Sequence, residues 1–164
     1  MRPRNLLGGR HFKGMITQWP ATYSIQVEGN VDIDTVSAVI DGRMRAAGDV
    51  IFDADTSISV NGDVYARNID LNSGTSTTVD GTLTSVGDVS VDSGLMTTVN
   101  GTITSAGYVE LGGWDSHTGE SSIIIAGGDF LMNGESTVVL KGGVTAEDSW
   151  TQAGEGVSFT GTFI

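Results

Sequence analysis

Histidine is the side chain best suited to proton transfer near neutral pH, and this chain has two, His11 and His117. His117 stands between Asp115 and Glu120 in the stretch Gly112-Gly113-Trp114-Asp115-Ser116-His117-Thr118-Gly119-Glu120. An imidazole beside two carboxylates has the donors for a metal or acid–base site. The same stretch breaks the surrounding pattern, however, and reads as an inserted loop at 112–120. A polar, glycine-rich loop is ordinarily solvated, so neither catalysis nor a metal is expected there. No His-x-x-x-His pair, nucleophile elbow or phosphate-cradling Gly-Lys-Ser/Thr is present. The chain has no cysteine, which excludes thiolate chemistry and disulfides. The acidic corners Asp41, Asp80, Asp88 and Asp92 have the carboxylates to collect calcium or to form a glycan-cleaving pair, but Asp at a corner is more simply turn chemistry. No cofactor is expected and the chain reads as a non-enzyme.

What positions these residues is a repeat. An apolar residue, Asp or Asn, and Gly recur with glycines at Gly42, Gly62, Gly81 and Gly101. A second element follows six residues later at Gly48, Gly87 and Gly107, and Asn68-Ile69 fills the slot in the remaining copy. A period of about twenty residues points to stacked supersecondary units. Val, Ile and Thr dominate the middle of the chain, there are 24 glycines and only 2 prolines, and the apolar residues alternate with polar ones. The fold class expected is all-β: a single-stranded parallel β-helix of about six coils, with an antiparallel meander turned by Asp-Gly and Asn-Gly as the alternative. In the β-helix, Val60, Val79 and Val99 stack inside, as do Val64, Leu83 and Ile103, and Val89 with Val109. Thr82-Leu83-Thr84 and Thr102-Ile103-Thr104 then stack as outward threonine pairs, an arrangement used by ice-binding solenoids and by ordinary sheets alike.

Charge is segregated along the chain. Residues 1–27 carry Arg2, Arg4, Arg10 and Lys13 and no acid, whereas the remainder holds all twenty acids against four basic residues. The organisation expected is a basic, irregular arm at 1–26, anchored by Trp19 and Tyr23, and a β-helix body at 27–164. The acidic body argues against nucleic-acid binding, and no apolar run suggests a secretory signal or a membrane span. Tyr65, Tyr108, Trp114, Trp150 and Phe163 fall outside the aliphatic ladder or near the end, which makes them candidates for end-capping or a subunit interface.

Val79-Asp80-Gly81-Thr82-Leu83 followed by Gly87-Asp88-Val89-Ser90-Val91 resembles the repeat of bactofilins, bacterial β-helix proteins that polymerise into cytoskeletal filaments; the likeness covers about residues 39–111. In overall character the chain is also similar to capsid decoration (cement) and fibre proteins of tailed bacteriophages. It shares with them a small acidic Gly- and Thr-rich β body and a Trp- and Arg-bearing arm. That second resemblance implies a homotrimer at the virion surface whose arm (Arg2, Arg4, Arg10, Lys13, Trp19, Tyr23) contacts the major capsid protein. The first implies a filament subunit, and a glycan-binding spike fragment is the third expectation.

Overall fold

The computed structural model describes residues 10–13, 24–119, 122–134, 137–153, 157–159 and 162–163. The strands, in chain order, are β1 (Arg10–Lys13), β2 (Ser24–Val27), β3 (Val31–Ile40), β4 (Arg43–Ala46), β5 (Val50–Val60), β6 (Asp63–Ala66) and β7 (Ile69–Ser73). They continue as β8 (Ser76–Val79), β9 (Thr82–Ser85), β10 (Val89–Ser93), β11 (Met96–Val99), β12 (Thr102–Ser105), β13 (Val109–Leu111) and β14 (Asp115–Thr118). The last are β15 (Ile123–Ala126), β16 (Phe130–Asn133), β17 (Thr137–Leu140), β18 (Gly143–Ala146), β19 (Trp150–Ala153), β20 (Val157–Phe159) and β21 (Thr162–Phe163).

Every strand pairs in parallel with the strand one coil away, as in β6–β9, β9–β12 and β12–β15, so the fold is the parallel β-helix and not the meander. Each coil has three faces. The first is an eight-stranded sheet, β2-β4-β6-β9-β12-β15-β18-β21. The second runs through β7, β10, β13, β16 and β19, and the third through β8, β11, β14, β17 and β20. These two merge into one thirteen-stranded sheet because β3 and β5 cross the corner between them without a break. At ~4.8 Å between strands the eight-stranded face is roughly 34 Å long.

The interior is the set of aliphatic columns the period implies. Val60, Val79 and Val99 are in register, as are Val64, Leu83 and Ile103, and Val89 with Val109, all fully buried or nearly so. Strict alternation carries this: in β9 and β12 every second residue is buried and its neighbours are half-exposed. Where the chain turns off the first face the interior narrows, and the inward column there is Ala46, Ala66, Ser85, Ser105 and Ala126. The two serines satisfy their hydroxyls on backbone carbonyls: Ser85 Oγ lies 2.5 Å from Arg67 O and 3.1 Å from Asp88 O, and Ser105 Oγ 2.5 Å from Gly87 O and 3.1 Å from Tyr108 O.

The corner glycines serve a purpose other than positive φ. Among the described residues only Gly113 and Gly142 have a positive φ. A Cβ on Gly62 would fall on the carbonyl oxygen of Gly42, one on Gly81 on that of Gly62, and one on Gly101 on that of Gly81. The first repeated glycine is therefore a column of backbone-to-backbone approach between coils.

Residues 115–118, expected inside an inserted loop, form β14, in register with β11 and β17. The strand escapes notice because its inward residues, Ser116 and Thr118, are polar. Both are buried, with Ser116 Oγ donating to Asn133 O at 2.9 Å and Thr118 Oγ1 to Lys141 O at 2.6 Å.

Candidate interaction surfaces

The corner between the first and second faces carries a ladder of side chains at Asn30, Asp49, Asn68 and Asp88. Asn30 Oδ1 accepts the Asp49 N–H at 3.0 Å, Asn68 Oδ1 that of Asp88 at 3.0 Å and Asp88 Oδ1 that of Tyr108 at 3.1 Å. Gly48, Gly87 and Gly107 stand directly over the accepting oxygens, and a Cβ on any of them would strike the side chain below. Arg67 occupies that slot in the fourth copy and grips the Asp49 carboxylate with two bonds, of 3.0 and 2.7 Å. The guanidinium, aided by the Asn68 amide at 2.8 Å, holds the Asp49 carboxyl below its ordinary range. On the corner between the third and first faces the column runs Asp41, Asn61, Asp80, Asn100. Asn61 Nδ2 donates to Asp41 Oδ1 at 2.6 Å and Asn100 Nδ2 to Asp80 Oδ1 at 2.9 Å. The acids at these positions are thus turn and stacking residues.

The three faces differ in what they show to solvent. On the first, the outward residues of β9, β12, β15 and β18 are Thr82, Thr84, Thr102, Thr104, Ile123, Ile125, Gly143 and Thr145, without one charge. Ile123 and Ile125 are 51% and 42% exposed. Towards the N-terminal end the face is charged: Arg43 pairs with Asp63 at 3.3 Å in an exposed contact of little weight, and Arg45 lies 5.1 Å from the Tyr65 ring centre. These residues, with Met44, line a groove of about 710 Å³.

The second face is acidic. Asp32, Asp34, Asp53, Asp70, Asp92 and Glu110 alternate with buried residues and point outward from β3, β5, β7, β10 and β13. Burial, with Asp53 and Asp92 on the adjoining strands, raises the Asp70 carboxyl above its ordinary value. Burial and the acids Asp88, Glu110 and Asp70 likewise raise the Tyr108 phenol. The third face is mostly neutral, with Ser57, Ser59, Ser76 and Thr78 outward.

Asp115 and His117 share the outward side of β14, two residues apart, and Glu120 lies outside the described residues. Asp115 Oδ1 is buried without a hydrogen-bond partner among the described residues, and no group of three potential metal ligands occurs among them. The aromatic candidates do not converge. Tyr65 is on the first face, Tyr108 on the corner ladder, Trp114 on the corner between the second and third faces, and Trp150 on the second face. Trp150 stands in register with Phe130, one coil further on, and is 37% exposed. Phe163 stands in register with Val144, and its side chain lies outside the described residues. Of the arm candidates, Arg2, Arg4, Trp19 and Tyr23 lie outside the described residues. Arg10 and Lys13 belong to β1, which adds a parallel strand to the second face alongside β3.

No family model, curated protein or solved structure matches the chain. The class of the protein is accordingly set by its fold, a three-faced parallel β-helix with chemically distinct faces.

Proposed function

We propose that the chain is a non-enzymatic structural protein that self-associates, most simply as a homotrimer, and decorates a larger assembly, a virion shell being the one its overall character favours. The observation that carries this reading is the charge-free strip on the first face. In a chain with twenty acids and a net charge of −12, four successive strands present no charge outward. Interface centres are depleted of charge in this way, and a flat sheet of threonine and isoleucine suits packing against a copy of itself about a symmetry axis. Three basic arms brought together would add weak contacts to a partner surface through their effective concentration.

One observation favours a filament instead. The terminal strands of the stack, β1 and β2 at one end and β19, β20 and β21 at the other, are parallel and end the strand order, so copies have the polarity needed to join end to end. Solution mass at low and moderate salt separates the two readings. A discrete species near three chains that becomes monomeric in Ile123→Glu supports the strip as the interface; open-ended polymers support the filament. A wild-type monomer overturns both. For attachment, deletion of residues 2–18 is expected to leave the body folded and abolish binding to the partner shell.

A further inference from the structure

Trp114 is 51% exposed and lies far round the coil from the strip proposed for self-association, so its role needs a separate account. The outward column nearest it on the second face runs Asp34, Asp53, Asn72 and Asp92 in register. It continues through Gly112 to Asn133. At Gly112 the column has no side chain, which leaves a notch whose floor is buried beneath the Asp92 carboxylate. Asp92 leans over it: a Cβ on Gly112 would lie 2.6 Å from Asp92 Oδ1, the oxygen that accepts the Ser93 N–H at 2.7 Å. Gly113, at φ +138°, turns the chain so that the indole rises beside the notch. The result is an open cleft of about 240 Å³ with Asp92, Glu110, Asn133 and Trp114 around it.

Several polar groups of this cleft are unspent among the described residues. Elsewhere on the surface amides and carboxylates satisfy one another, as Asn61 does with Asp41 and Asn100 with Asp80. Here Asp92 Oδ2, the Glu110 carboxylate and the Asn133 side-chain amide make no hydrogen bond among the described residues. Each is a directional group set around an aromatic surface.

We propose that this notch is a binding subsite for a neutral saccharide. The C–H face of a pyranose ring packs on the indole, sugar hydroxyls donate to the Asp92 and Glu110 carboxylates, and the Asn133 amide donates to a ring or hydroxyl oxygen. Two carboxylates at the site repel acidic sugars. A quaternary ammonium is the competing ligand for an aromatic ring beside acids. A single indole is not the multi-walled cage such ligands use, and the Asn133 amide has nothing to offer them.

The chain has three tryptophans, so three indole N–H signals report on it, and Trp114→Phe identifies the relevant one. The full-length protein is titrated with gluco-, galacto-, manno- and xylo-oligosaccharides and chitohexaose, and separately with tetramethylammonium. The expected result is that at least one neutral sugar shifts the Trp114 indole and the Asn133 side-chain amide at millimolar concentration. Glu110→Gln, which loses no hydrogen bond among the described residues, is expected to weaken that binding about tenfold with an unchanged melting temperature. Trp114→Ala abolishes it, and Trp114→Phe, which keeps a ring, retains part of it. The inference is overturned if no sugar shifts the signal, if only tetramethylammonium does, or if sugar binding survives in Trp114→Ala. It stands or falls independently of the oligomeric state.

Discussion

At the scale of single residues, the corners show how an acidic chain stacks its turns without stacking its charges. Parallel coils place equivalent side chains about 4.8 Å apart, a separation at which like charges repel even in water. The column Asp41, Asn61, Asp80, Asn100 alternates acid with amide, and so does Asn30, Asp49, Asn68, Asp88. Each amide can donate to a neighbouring carboxylate, as at Asn61–Asp41 and Asn68–Asp49. Asn61→Asp would place three carboxylates in succession. The expected loss is about 1 kcal/mol at low ionic strength, largely recovered at high salt. Asn61→Ala, which removes the amide without adding charge, should lose stability without that salt dependence. Thermal melts of the two variants at low and high salt compare them directly, and equal salt responses would remove charge alternation as the reason for the pattern.

At the scale of the element, the two sets of repeated glycines have different causes, both arising between coils. Gly81 lies against the Gly62 carbonyl, whereas a Cβ on Gly143 would have nothing within 4 Å and Gly143 has no positive φ. Gly81→Ala is therefore expected to cost about 1–3 kcal/mol, as overpacking does. Gly143→Ala should be neutral or stabilising by about 0.4–1 kcal/mol, because it restricts the unfolded chain. Denaturant melts that rank the two the other way would sink the close-approach account. The period and the alternation made the β-helix and its inward columns legible in the sequence, down to the pairing of Leu83 with Ile103. The reason for the glycines was not legible, since Asp-Gly reads locally as a tight turn and the clash that demands glycine comes from a residue about twenty positions earlier. Strand β14 was hidden similarly: Ser116 and Thr118 are inward because distant carbonyls receive their hydroxyls, which no local hydropathy pattern records. Trp114 stood out as an aromatic off the ladder, but its neighbours Asp92 and Asn133 meet it only through the stacking of three coils.

At the scale of the whole molecule, six of the twenty acids line one face while another has an uncharged strip, and that division has a thermodynamic consequence. Carboxylates on neighbouring strands of the second face oppose one another, and Asp70 carries the resolved effect, its carboxyl raised by burial and then by Asp53 and Asp92. A carboxyl raised on folding binds its proton more tightly in the native state. Stability therefore falls as pH rises from the ordinary carboxylate range through the raised value. Asp49, lowered by Arg67, acts in the opposite sense, contributing stability at neutral pH that is lost as pH falls through its depressed value. Asp70→Asn removes the first effect and leaves the second. It should stabilise the protein at neutral pH by on the order of 0.5 kcal/mol, the low end for relief of unfavourable surface charge, because Asp70 is only partly buried. The gain should vanish below the ordinary carboxylate range, where wild-type Asp70 is already protonated. High salt should remove the share due to Asp53 and Asp92 and leave the share due to burial. A variant less stable than wild type at neutral pH would mean that Asp70 has a stabilising partner. The acidic face would then be a built surface and not a tolerated repulsion.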